Sequence, residues 1–146
     1  MRHSALLAIA SGIGLALGLW ASVAQAQPRS PALIRQQIEA SLNRQIQAVS
    51  ALEEPERAGR LTWEAYVQMG AAHGNMTINA SSAKYPDPLS PLANQRMEQA
   101  RAQILSAHDA LKSRSTWSAS SNPIDVARNH LNEAIRLTRI ILATTF

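Results

Sequence analysis

Apolar side chains recur every three or four residues in four separate stretches of the chain. In the first stretch, residues 31–52, the apolar positions are Ile34, Ile38, Leu42, Ile46 and Val49. Spacings of four, four, four and three place these side chains on one face of an α-helix. Ser30 and Pro31 form a typical helix start, a hydroxyl cap followed by a proline in the first turn. The pattern predicts a helix from about residue 31.

Three further stretches show the same period. Residues 56–73 predict a second helix, and Ser90-Pro91 and Asn122-Pro123 mark the starts of a third and a fourth. The apolar stripe of the third helix is Ala93, Met97, Ala100, Ile104, Ala107 and Leu111. Residues 75–90 contain two prolines and many short polar residues, so they predict a loop whose first residues could extend the second helix.

Four amphipathic helices without a strand pattern predict an all-α fold, an antiparallel four-helix bundle. A helical-repeat architecture is the alternative, because the third and fourth helices begin alike, 32 residues apart. The other positions of the tetratricopeptide signature do not recur, which favours the bundle.

The N-terminus has the features of a cleaved signal peptide. Arg2 and His3 precede an apolar run over residues 5–19, and Ala24 and Ala26 occupy the A-x-A cleavage positions. The sequence therefore predicts a signal peptide at residues 1–26 and a single mature domain at residues 27–146. No later stretch is apolar enough to span a bilayer. We expect a protein that is periplasmic or secreted, with no transmembrane segment in the mature chain.

Composition narrows the chemistry that an exported domain could perform. The chain has no cysteine, which removes disulfides, thiolate zinc sites and covalent haem attachment. The mature chain has 13 basic residues, since Arg2 is removed from the 14, against 10 acidic ones. This mild excess permits weak contact with an anionic envelope surface, whereas export argues against nucleic acid as a partner. Serine-hydrolase, zinc-protease and phosphate-loop motifs are missing, so the sequence favours a protein that is not an enzyme.

One group of residues has the chemistry of a soft-metal site. Met69, His73 and Met76 are spaced by four and three, and thioether and imidazole groups suit copper or, as axial ligands, haem b. His108 and His130, on the third and fourth helices, could join them across the bundle. The alternative is ordinary core, because both methionines lie on the apolar stripe of their helix.

A second candidate is a basic strip on the fourth helix, formed by Arg128, Arg136 and Arg139, which could contact an anionic partner. The alternative is a solvated face on which Glu133 pairs with Arg136. The larger aromatic residues of the mature chain could pack on the bundle or mark a partner surface; they are Trp63, Tyr66, Tyr85 and Trp117.

Together these patterns favour an exported helical bundle that serves as a binding or interaction module for an envelope partner or ligand. The alternative function is a bundle that binds copper or haem b through methionine and histidine side chains.

Overall fold

A computed structural model describes residues 29–80, 91–113 and 122–146. Over these residues the chain forms four helices: α1 (Pro31–Ser50), α2 (Pro55–Ala80), α3 (Pro91–Lys112) and α4 (Pro123–Thr145). The predicted all-α, four-helix architecture is confirmed. The predicted signal peptide, Tyr85 and Trp117 lie outside the described residues. Within the described ranges, no helix combines the length and the apolar character needed to cross a bilayer.

Two helices begin at the caps that the sequence predicts. The Ser30 hydroxyl oxygen accepts a hydrogen bond from the Leu33 N–H (3.2 Å) at the start of α1. The Asn122 side-chain oxygen accepts one from the Ile124 N–H (2.9 Å) at the start of α4. Each bond satisfies one of the N–H groups that the first turn of a helix leaves without a helical partner.

Helix α2 is longer than the sequence predicts. It continues past residue 73, through Gly74, and ends at Ala80, so the first part of the predicted loop is helical. Tertiary contacts hold this extension: Asn79 is buried, accepts from the Arg29 N–H (2.8 Å) and donates to the Arg29 carbonyl (2.6 Å). This packing outweighs the low helix propensity of glycine.

Neighbouring helices run antiparallel. Ser41 of α1 donates to the carbonyl of Ala65 in α2, whereas Asn75, later in α2, donates to Gln37, earlier in α1. The helices pack in a ring, each against the next along the chain, and α1 packs against α4. This closure of the first helix on the last is the geometry of a bundle and excludes the open stacking of a helical repeat.

The core side chains repeat every seven residues, a small residue alternating with a larger one. In α2 the two series are Ala58, Ala65, Ala72 and Thr62, Met69, Met76; in α3 they are Ala93, Ala100, Ala107 and Met97, Ile104, Leu111. A repeat of 3.5 residues per turn keeps one seam of each helix facing its neighbours, as in coiled coils. The alanines leave room for the larger side chains of the facing helix.

The buried residues form two apolar clusters, one towards each end of the bundle. Ser41, Gln45 and Thr62 lie between the clusters along their helices and are fully buried. The Gln45 amide nitrogen donates to the hydroxyls of Ser41 and of Thr138 in α4, both at 3.1 Å. The bundle therefore has a buried polar contact between α1 and α4, between the two apolar clusters.

Candidate functional site

The two methionines of the predicted soft-metal site are core residues in this structure. Met69 is 0% exposed and Met76 is 4% exposed, and both belong to the cluster that contains Ile34 and Met97. His73 lies at the edge of this cluster and faces α3, where its Nε2 atom is 3.7 Å from Glu98 Oε1. That nitrogen is buried and has no hydrogen-bond partner.

The three histidines do not come together. His108 Nδ1 is 3.2 Å from the carbonyl oxygen of Gly59, and 14 residues of α2, about 21 Å at 1.5 Å per residue, separate Gly59 from His73. His130 Nδ1 is hydrogen-bonded to Gln103 Oε1 (2.6 Å), between α3 and α4. One ion therefore could not contact both His73 and His108. Nowhere in the described ranges do three His, Asp or Glu side chains form a metal-binding group.

Two arginines of the predicted basic strip on α4 are paired with acidic neighbours. Arg128 contacts Asp125 (2.6 Å), and Arg136 makes two hydrogen bonds to Glu133 (2.9 and 2.5 Å). The hydrogen bond from Arg136 is the largest influence on the pKa of Glu133 and lowers it; burial opposes this effect, and the charge of Arg136 adds a further, smaller lowering. Only Arg139 of the three is exposed without such a partner among the described residues. The strip thus carries less free positive charge than its sequence suggests.

An aromatic cluster lies between α2 and α3. The Trp63 ring packs against the Tyr66 ring (centroids 5.3 Å apart) and against the His108 ring (5.2 Å). Despite these contacts Trp63 remains 47% exposed, and Val67, one turn later in α2, is 50% exposed. Large apolar side chains are therefore available to a partner at this position.

Beside Trp63 the two helices enclose an open groove of about 360 Å³, here called the α2–α3 groove. Its apolar lining comes from Pro55, Gly59, Trp63 and Leu111. Its polar lining comes from Arg60 and Glu56 of α2 and from His108 and Lys112 of α3. The groove thus has an apolar surface with a cation on each wall.

Arg101 of α3 lies beyond Trp63 along the same face. Its guanidinium carbon is 4.7 Å from the centroid of the Tyr66 ring, a cation–π contact. A side chain at Gly70 would obstruct it, since a Cβ atom there would lie 3.0 Å from Arg101 Nη2. Tyr66, Gly70 and Arg101 form what we call the Arg101 notch. The Nε atom of Arg101 is buried and has no hydrogen-bond partner.

Within the part of the chain that the structure describes, the cations of this face differ from most others in having no acidic partner. Five arginines pair with a nearby carboxylate: Arg35 with Glu39, Arg44 with Glu64, Arg57 with Glu54, Arg128 with Asp125 and Arg136 with Glu133. Arg60, Arg101 and Lys112 form no ion pair with another described residue. Among the described residues, the groove and the notch together therefore present three positive charges without an ion pair, near the exposed ring of Trp63 and the partly buried ring of Tyr66.

The sequence alone does not predict this arrangement. Trp63 and Tyr66 stand out as aromatic residues three positions apart, but their contacts with His108 and Arg101 depend on how α2 and α3 are aligned. A glycine inside a helix, such as Gly70, is compatible with either a close helix contact or a helix end, and the structure shows a close contact with Arg101.

Comparisons of the chain with protein-family models, with curated proteins and with solved structures give no match. The α2–α3 groove and the charges around it are the features that indicate a function.

Proposed function

We propose that residues 27–146 form an exported, non-enzymatic binding module and that the α2–α3 groove is its binding surface. The observation that carries this proposal is the exposure of Trp63, which is nearly half accessible although two neighbouring rings pack against it. Tryptophan, tyrosine and arginine are the residues that most often dominate binding energy at protein interfaces, and all three occur together here. The A-x-A motif at Ala24 and Ala26 supports export.

Site-specific photo-cross-linking in the native envelope tests the proposal. A photoreactive residue replaces Val67, which is exposed one turn from Trp63, and the matched control replaces Asn132 on the exposed face of α4. We expect a discrete cross-linked product from position 67, its loss in the Trp63→Ala background, and none from position 132. Equal products from both positions, or none from position 67, would contradict the proposal. N-terminal sequencing of the same preparation tests cleavage before Gln27.

A copper or haem-b site is the second candidate, and one observation favours it. His73 Nε2 is buried without a hydrogen-bond partner, as a nitrogen reserved for a ligand would be. Met69 and Met76 would supply thioethers from the same helix. Copper(I) titration and an absorption spectrum of protein purified from its native compartment test this candidate. Stoichiometric copper or a Soret band, lost in His73→Ala, would establish it, and the absence of both signals would exclude it.

A further inference from the structure

We infer that the partner bound on this face is a peptide segment of another protein in which a large apolar side chain is flanked by carboxylates. This inference rests on the proposed function and names the chemistry of its partner. The apolar side chain would occupy the α2–α3 groove beside Trp63, and one carboxylate would bind Arg101.

The charges that line the α2–α3 groove favour an acidic partner. Arg60 of α2 and Lys112 of α3 both line the groove, and both are exposed cations without an ion pair among the described residues. Glu56, which also lines the groove, takes part in an interaction of its own. A partner that brings negative charge to this face would be attracted, and a basic partner would be repelled.

Arg101 is organised as a carboxylate-binding group. Its guanidinium lies over the Tyr66 ring and close to the backbone of Gly70, where a Cβ atom would come within 3.0 Å of Nη2. Because the group is already positioned, less conformational entropy is lost when its remaining N–H groups bind a carboxylate. An acidic side chain can accept two of these hydrogen bonds at once.

The length of the face fits a short extended peptide. Gly59 in the groove and Gly70 in the notch are 11 residues apart on α2, about 16 Å along the helix axis. About five extended residues cover that distance at 3.3 Å each. An apolar anchor and an acidic residue a few positions away could therefore occupy both places together.

The shape of the face favours a peptide over a lipid membrane. Arg60 and Lys112 belong to opposite walls of a concave groove, and Arg101 is partly buried between the helices. A flat anionic membrane binds best to basic side chains that project from one convex or planar face. A single side chain can enter the groove, whereas a lipid headgroup layer cannot follow its walls.

Selection from a displayed library of random dodecapeptides tests the inference on the full mature protein. The library is first depleted of peptides that bind the Trp63→Ala variant. The remaining peptides that bind the wild-type protein are then sequenced. We expect enrichment of sequences with Asp or Glu within a few positions of an aromatic or large aliphatic residue. Enrichment of neutral or basic sequences would overturn the inference.

The role of charge is then measured by comparing the affinities of two peptides. One is the best selected peptide, and the other is its analogue in which glutamine replaces each acidic residue. We expect the acidic peptide to bind at least about tenfold more tightly than the analogue, the effect of one charge-assisted hydrogen bond. Arg101→Gln should remove most of this preference, and Gly70→Ala should reduce it by displacing the guanidinium. Arg139→Gln on α4 and Gly74→Ala, whose Cβ atom would meet nothing within 4 Å, are the matched controls and should leave it intact.

The outcomes separate the inference from the proposed function. If Arg139→Gln weakens binding as much as Arg101→Gln, only overall charge is being measured, and the inference is wrong. If vesicles of anionic phospholipid bind through Arg101 and displace the peptide, the face binds membranes and the inference is also wrong. Both results leave the groove as a binding surface. A selection that yields no peptide dependent on Trp63 overturns the inference, while cross-linking from position 67 decides the proposed function independently.

Discussion

Gly70 and Gly74 lie one turn apart on α2, but only one of them is in contact with a neighbouring helix. A Cβ atom at Gly74 would meet nothing within 4 Å, whereas one at Gly70 would lie 3.0 Å from Arg101 Nη2. We expect Gly74→Ala to stabilise the bundle by about 1 kcal/mol through helix propensity alone. Gly70→Ala should give a smaller gain, because the guanidinium must move. Thermal unfolding of both variants measures the difference, and equal gains would show that the contact with Arg101 is unimportant for stability.

Glu133 is the carboxylate whose environment makes the clearest pH prediction. Its hydrogen bonds with Arg136, and then the charge of Arg136, lower its pKa in the folded protein. A lowered folded-state pKa means that the pair contributes stability at neutral pH and loses that contribution as the pH falls through this pKa. NMR titration of the carboxylate carbon should give a pKa below the ordinary glutamate range. Arg136→Ala should return it towards that range, and Arg128→Ala should not.

At the scale of single elements, the start of α4 depends on one side chain. The Asn122 side chain bonds the Ile124 N–H, and Pro123 follows in the first turn. We expect Asn122→Ala to destabilise the protein by about 1 kcal/mol, the usual effect of losing a cap. Asn122→Asp should retain the hydrogen bond and add a favourable interaction with the helix dipole. Chemical denaturation measures both variants, and an unchanged midpoint for Asn122→Ala would show that the cap contributes nothing.

The four helices are the features that the sequence predicts best. Apolar periodicity and the Ser30-Pro31 and Asn122-Pro123 starts are local signals, and the helices follow them. The sequence predicts α2 only to about residue 73 and leaves its extension open, because that extension is held by a contact between Asn79 and Arg29, which are 50 residues apart. The contacts at Arg101 and the separation of His73 from His108 depend in the same way on the alignment of whole helices. Periodicity within one helix does not determine that alignment.

At the scale of the whole molecule, Gln45 connects α1 to α4 through the core. If methionine replaces it, Ser41 can still donate to the Ala65 carbonyl and Thr138 to the Ala134 carbonyl, both at 2.7 Å. No buried donor is then left without an acceptor, so we expect Gln45→Met to stay within about 1 kcal/mol of the wild type. Gln45→Ala should lose about 2 kcal/mol or more, because it leaves a cavity. Denaturation curves compare the two, and equal losses would show that the amide hydrogen bonds, and not the filled volume, stabilise the core.

The placement of the methionines determines how the protein responds to oxidants. Met69, Met76 and Met97 are enclosed in the core, so peroxide can reach their sulfur atoms only when the helices separate. The chain has no cysteine that would react first. Mass spectrometry can measure how fast peroxide converts Met97 to its sulfoxide. We expect the rate of this conversion to be set by the fraction of molecules in which the helices have separated. That rate should be faster in Gln45→Ala than in Gln45→Met, which would make sulfoxide formation a direct measure of how often the bundle opens.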